Sequence, residues 1–356
     1  MKLVIELSEI SSGGGERVLD KLVRSFHEYG HEIIIFSWNP AWKTYKGFSF
    51  PVEVHILNII PYWGKGIFSI IEYYKVLKEV KPDAIIAFLS TSLRVSLLCA
   101  KLQGIPIITS LRVNAVFTTL FERIEKRLLM SCDGIVFQTK EVQEQFPKRV
   151  IRKSIVIHNM LMDDNLPMTD RGSRNKEIVG IGRLSEEKNF KLLIDAFSEI
   201  DFGDYILKIF GDGPLKVNLK ELIISQHLED KVFLMGKVDR VVDYIKDSEI
   251  FVLSSNNEGM PNALMESMAM GLACVATDVS TGGTRALIEN QRNGIIIPVG
   301  NKESLKKALC LLIEDDALRM NISNEAIRIR DSHSKEIIIP QWLDFISLTV
   351  RRKHSS

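Results

Sequence analysis

Arg183 and Lys188 stand five residues apart in Gly182-Arg183-Leu184-Ser185-Glu186-Glu187-Lys188-Asn189, where an apolar run gives way to a helical pattern. Two fixed cations at a strand end suit a diphosphate, because the charge of a departing phosphate must be neutralised as it develops. Two solvated charges answered by Glu186 and Glu187 are the plainer account. A second constellation runs from Ser254 to Glu266, reading SSNNEGMPNALME. There a polar loop carries Glu258 and Gly259, and Met260 and Pro261 lead into a helix. The first amides of that helix, from Asn262, Ala263 and Leu264, can face phosphate or sugar oxygens. Glu258 can accept hydrogen bonds from sugar hydroxyls. Glu266 falls about one and a half turns into that helix, beside Leu264, Met265 and Met268, so a buried carboxylate there needs partners such as ribose hydroxyls. A helix-start acid plus a surface glutamate is the competing account.

Two glycine turns complete the set. Gly13-Gly14-Gly15 precedes a helical stretch near the start of the chain, and Gly211 and Gly213 flank Asp212 at the end of another apolar run. Glycine lets a backbone turn sharply and come close to a ligand. The first matches neither G-x-G-x-x-G nor a Walker loop, and a plain turn explains either.

The elements that must carry these residues alternate along the whole chain. Short apolar runs at Leu3–Leu7, Glu32–Trp38, Ala84–Leu89, Pro106–Leu111 and Gly134–Gln138 are separated by helical patterns. Continuous apolar strands between helices predict parallel sheets covered on both faces. The segment MDDNLPMTDRGSRNK from Met162 to Lys176 has no apolar period and reads as a linker. Alternation then restarts at Ile178–Gly182, Tyr205–Phe210, Val232–Gly236, Ile250–Ser254, Ala273–Thr277 and Gly294–Pro298. Two doubly wound α/β domains follow, with ligands expected at the carboxyl ends of their strands and in a cleft between them.

Composition agrees. The 356 residues are 46% hydrophobic and 26% charged, enough for two ordinary globular cores. Met1 to Met160 holds 21 Lys and Arg against 15 Asp and Glu, a charge of +6, which leaves −5 for the remainder of a chain whose total is +1. A modestly basic first half suits an anionic surface, and ordinary variation accounts for it equally. Nothing points to nucleic acid. The four cysteines form no C-x-x-C pair and read as reduced core residues. No uncharged apolar run approaches the ~18 residues of a membrane span, so a cytoplasmic protein is expected, able to lie on the inner face of a membrane. None of the seven histidines sits at a metal-binding spacing.

Taken in order, the Gly-Gly-x-Glu turn, Arg183, Lys188 and Glu258-x7-Glu266 resemble the family-4 retaining glycosyltransferases of the GT-B fold, the group 1 glycosyltransferases, over nearly the whole chain. The resemblance implies a first Rossmann-like domain over 1–162, a nucleotide-sugar-binding one over 163–334, and a final helix of about 335–356 packing back on the first. It implies that Arg183 and Lys188 hold the donor diphosphate, Glu258 the transferred sugar and Glu266 the ribose. Gly14 and Gly15 would approach the diphosphate from the opposite domain, and Gly236-Lys237-Val238 would lie against the base. Neither metal nor cofactor is implied. Many members carry a histidine where this chain reads Ser110-Leu111-Arg112-Val113-Asn114. That version resembles the bacterial subgroup building capsule, O-antigen or lipid-linked oligosaccharide, and places Arg112 and Asn114 on the acceptor or sugar side. The implied partners are a nucleotide-diphosphate sugar, a glycan or polyprenyl-diphosphate acceptor and an anionic membrane surface. A nucleotide-sugar epimerase of similar shape would need acid/base groups not found here. A non-catalytic binding subunit predicts the loss of Arg183, Lys188 or Glu258, all of which are present.

Overall fold

A run such as Ala84–Phe88 offers no polar residue to solvent, so both of its faces must be covered. In the computed structural model, which describes residues 1–7, 14–37, 53–56, 66–88, 93–111, 120–167 and 174–355, all five of its residues are buried. The chain divides into two compact units, Met1–Met160 with Lys335–Ser356, and Leu161–Ser334.

Unit 1 contains β1 (Lys2–Leu7), α1 (Gly14–Glu28), β2 (Glu32–Ser37), β3 (Glu53–Ile56), α2 (Gly66–Val80), β4 (Ala84–Phe88), α3 (Leu93–Gln103), β5 (Ile107–Leu111), α4 (Leu120–Leu129), β6 (Gly134–Phe137), α5 (Lys140–Glu144), α6 (Lys148–Ile151) and β7 (Ser154–Val156). Its strands form one parallel sheet in the order β3-β2-β1-β4-β5-β6-β7. The last helix of the chain, Lys335–His354, also belongs to this unit. Its Trp342, 1% exposed, meets Phe26 of α1 edge-on at 6.2 Å and Phe88 of β4 at 5.9 Å. Its Phe345 and Thr349 lie over Gly134, where an added Cβ would come within 3.1 Å of both side chains.

Glu6 is fully buried on β1. The Tyr73 hydroxyl of α2 donates to its Oε1, and Ser96 of α3 supplies a further hydrogen bond. Burial dominates these bonds and pushes the carboxyl up to about 7 from 4.5. A carboxyl raised in the folded state stabilises that state fully below its unfolded value, and the contribution is lost as pH rises through 7. The difference amounts to about 3 kcal/mol at full span. Glu6→Gln is therefore expected to remove about 2–3 kcal/mol of the stability lost between pH 5 and pH 8. Urea midpoints of wild type and variant at the two pH values measure it; equal pH dependence in both refutes it.

Unit 2 contains β8 (Asn175–Ile181), α7 (Phe190–Ser198), β9 (Ile206–Phe210), α8 (Lys216–Ser225), β10 (Val232–Gly236), α9 (Val241–Ile245), β11 (Ser248–Leu253), α10 (Asn262–Ala269), β12 (Ala273–Thr277), β13 (Ile295–Ile297), α11 (Lys302–Glu314), α12 (Asp316–Ala326) and α13 (Ile329–Ser332). The closing helix, Lys335–His354, is α14. The sheet is again parallel, ordered β10-β9-β8-β11-β12-β13. Successive strand residues serve opposite faces. Ile250 and Val252 pack with Leu193 and Phe197 of α7 and Leu309 of α11, whereas Phe251 and Leu253 pack with Ile245 of α9 and Leu264 and Met268 of α10. The order in which strands are added across the sheet reverses between the parallel neighbours β8 and β11, and a doubly wound sheet opens its ligand crevice at the carboxyl ends flanking such a reversal.

Candidate functional site

The two constellations leave the sheet at that reversal, the one containing Arg183 and Lys188 after β8 and the one containing Glu258 after β11. Polar side chains join the two loops. Asn189 caps α7 in a left-handed conformation at φ 46°, one that asparagine tolerates. Its side-chain oxygen accepts from the Leu192 amide at 3.2 Å, and its amide nitrogen donates to Asn256 Oδ1 at 3.0 Å. Asn256 in turn donates from its backbone to Glu187 O at 2.7 Å and from its side chain to Glu186 O at 2.9 Å. The Ser254 hydroxyl donates to Lys188 O at 2.8 Å. Lys188 thus sits in the turn before α7 rather than in the helix, because Asn189 supplies the cap.

The joined loops bring Lys188 Nζ onto Glu258 Oε1 as an ion pair, with 24% and 14% of the two side chains exposed. Ser255 Oγ donates to the same oxygen at 2.8 Å. The expected alternative partners of Lys188, Glu186 and Glu187, face solvent. Arg183 is exposed as well. Pro261 is the N-cap of α10 and contributes no side-chain capping bond. Asn262 and Ala263 are half-buried at the first turn, while Leu264 and Met260 belong to the core. Glu266 is 3% exposed and has an interaction partner in the protein.

The glycines have a physical reason of their own. Gly211 has φ 142°, and a Cβ there would stand 1.8 Å from Gly182 O; one on Gly213 would stand 2.5 Å from Leu184 O. The turn after β9 crosses the turn after β8 backbone to backbone, with Gly182 N donating to Phe210 O at 2.9 Å and Leu184 N to Asp212 O at 3.0 Å. The space that a side chain would fill is taken by protein. Val238 is half-buried against the core face that holds α10. Gly14 and Gly15 open α1 in unit 1. Arg112 and Asn114 lie outside the described residues. Among the described residues no group of three or more His, Cys, Asp or Glu is arranged to hold a metal ion.

Thr281 and Gly283 escaped the sequence reading. The Thr281 hydroxyl donates to Glu258 O at 2.6 Å, and a Cβ on Gly283 would stand 1.8 Å from Gly259 O. The run Thr281-Gly282-Gly283-Thr284 after an apolar strand is a turn signal like those read elsewhere, and could have been noted.

Comparison with known proteins matches residues 166–329 to the model of glycosyl transferases group 1, and residues 12–162 to that of glycosyltransferase family 4. Amylovoran biosynthesis glycosyltransferase AmsD of Erwinia amylovora is 24% identical over 97% of this chain and 99% of its own length. The N-acetylgalactosamine-N,N'-diacetylbacillosaminyl-diphospho-undecaprenol 4-alpha-N-acetylgalactosaminyltransferase of Campylobacter jejuni is 28% identical over 91% of this chain and 93% of its own. In fold, the chain is similar to Anabaena Alr3699/HepE crystallised with UDP and glucose, with a TM-score of 0.82 at 20% identity over 98% of this chain and 99% of that one.

Proposed function

The chain belongs to the group 1 glycosyltransferases of the GT-B fold, and from that membership we propose that it transfers a hexose or N-acetylhexosamine, with retention, from a UDP-sugar to a lipid-linked glycan. The observation that carries this reading is the Lys188–Glu258 pair at the sheet reversal of unit 2. It sets a phosphate-binding cation beside a sugar-binding carboxylate. An ammonium has three donors, so Lys188 can keep Glu258 and still meet the diphosphate, with Arg183 as the second cation. Glu258 accepts from hydroxyls of the transferred sugar, Glu266 serves the ribose, and Val238 flanks the base. The amino-terminal end of α10 adds positive potential for the phosphates.

In the transfer step the bond from the anomeric carbon to the phosphate oxygen breaks, and its electron pair leaves with the diphosphate. The acceptor hydroxyl bonds to that carbon from the same face, and its proton passes to the leaving phosphate oxygen. No side-chain nucleophile is needed, which fits a Glu258 carboxylate already held by an ammonium and a hydroxyl.

For the acceptor, support comes from the diphospho-undecaprenol in the Campylobacter relative's name and from the surface of unit 1. On α3, Leu98 and Leu102 are 45% and 64% exposed on a helix that also exposes Arg94 and Lys101 and carries no acid. An apolar and cationic face suits an anionic lipid surface. Among the described residues no helix is long and apolar enough to cross a membrane. Of the basic run near residue 150, Lys153 is committed to Met130 O at 2.9 Å and to Cys132 O, which leaves Lys148, Arg149 and Arg152 exposed. The aromatic stretch Pro61-Tyr62-Trp63 lies outside the described residues, and nothing is described of the side chains of Ile67 and Phe68.

A panel of UDP- and GDP-sugars, assayed for nucleotide release first alone and then with polyprenyl-diphosphate-linked acceptors, tests the proposal. Release from one UDP-sugar, accelerated by the lipid-linked acceptor with retained anomeric configuration in the product, is expected. Release confined to GDP-sugars, indifference to every acceptor or an inverted product would each overturn its part.

A further inference from the structure

We propose that Ser255 and Thr281 are positioning residues that hold Glu258 in place for the sugar, one through its carboxylate and the other through its backbone. The inference rests on the reading above that Glu258 binds the transferred sugar. Glu258 sits in a loop whose neighbours Asn256 and Asn257 face solvent, and the last torsion of a glutamate is soft. Left alone, such a carboxylate samples a broad range of orientations.

Two buried hydroxyls oppose this. Ser255, 1% exposed, donates to Oε1 at 2.8 Å, the oxygen that also takes Lys188. Two donors on one oxygen restrict rotation of the carboxylate, and Oε2 is the oxygen left to accept from a sugar hydroxyl. Thr281, also 1% exposed, donates to the carbonyl of Glu258 at 2.6 Å and to that of Gly259 at 3.3 Å. Beneath it, Gly283 allows the turn after β12 to abut Gly259. The loop is anchored again where Thr277 Oγ1 donates to Ser255 O at 2.6 Å. All three hydroxyls converge on the segment that carries this one carboxylate.

The test uses the full-length protein and whichever UDP-sugar it turns over. Ser255→Ala and Thr281→Val are expected to slow that turnover by about 10–100-fold, the order that follows from a misplacement of about 1 Å. Binding of UDP alone, which lacks the sugar, is expected to stay within about twofold, and Thr281→Ser is expected to restore most of the rate, since it keeps the hydroxyl. In a Glu258→Gln background Ser255→Ala is expected to add less than about twofold, because residues acting through one group are not additive. Equal loss in that background, parallel loss of UDP binding, or wild-type turnover by Ser255→Ala and Thr281→Val overturns the proposal. Wild-type turnover by Glu258→Gln instead overturns the sugar-binding reading itself. Should Thr281→Val fail to fold, Ser255→Ala with and without Glu258→Gln decides alone.

Discussion

Lys188→Ala should slow turnover of the donor by about 10²–10³-fold, equivalent to about 2.7–4 kcal/mol of lost transition-state stabilisation. The charge on the leaving diphosphate grows as the glycosidic bond lengthens, so a cation fixed beside it acts more on the rate than on ground-state binding. The ammonium is well fixed. The backbone carbonyl of Lys188 is held by Ser254, the following Asn189 caps α7, and its side chain packs over Gly182, where a Cβ would meet Lys188 Cδ at 3.0 Å. The folded protein should survive the change. At 24% and 14% exposure the pair with Glu258 lies between a surface pair and a buried one, so removing the ammonium costs about 1–3 kcal/mol. Steady-state kinetics with a melt of each variant separates the two effects. A wild-type kcat in Lys188→Ala would remove the cation from the mechanism, and a melting loss as large as that of an unfolded protein would remove the inference.

Gly211→Ala should be the most destabilising single methyl that can be added at the site, at about 3–5 kcal/mol. Its φ of 142° lies in a region that only glycine enters readily, and the new carbon would fall 1.8 Å from Gly182 O. Neither atom can yield, because both belong to turns joined by backbone hydrogen bonds from Gly182 to Phe210 and from Leu184 to Asp212. For a unit of this size the loss corresponds to a fall of about 10 °C in Tm. Gly203→Ala is the matched control, since Gly203 has φ 50° with open space around it. About 1 kcal/mol is expected there, from the left-handed conformation alone. Calorimetry on both variants decides: similar small shifts would mean that the crossing turns can separate, and that Gly211 is free to serve a ligand after all.

These effects show which parts of the protein can be read along the chain. Apolar strands announce themselves, whether covered on both faces like β12 or open on one like the edge strand β10, where Phe233 and Met235 are 37% and 40% exposed. The runs Val232–Gly236 and Ala273–Thr277 appear with their expected bounds as β10 and β12, and Pro106 falls just outside β5 because it has no amide to give. Helices of four or five residues, such as α5, α6 and α9, are too short to show a period and were not foreseen. At the site, residue types and order were visible but partners were not. Lys188 and Glu258 were read as separate ligand groups, and only the pairing of β8 with β11 makes them neighbours across 70 residues. Thr281 and Ser255 act on a carbonyl and on one oxygen of a carboxylate, contacts that leave no periodic trace. Glu6 belongs to no motif, although its alternation with Val4 along β1 places both on one face of the sheet.

The closing helix has a bearing on biosynthesis. Unit 2 is a single uninterrupted stretch, whereas unit 1 needs Trp342 and Phe345 from the end of the chain to cover α1, β4 and β6. Domains ordinarily mature on the ribosome in the order they are made. Unit 1 here must wait for Lys335–Ser356, made after the whole of unit 2, before its apolar surface is sealed, so the later-begun unit can finish first and Met1–Met160 is the stretch in need of protection by chaperones.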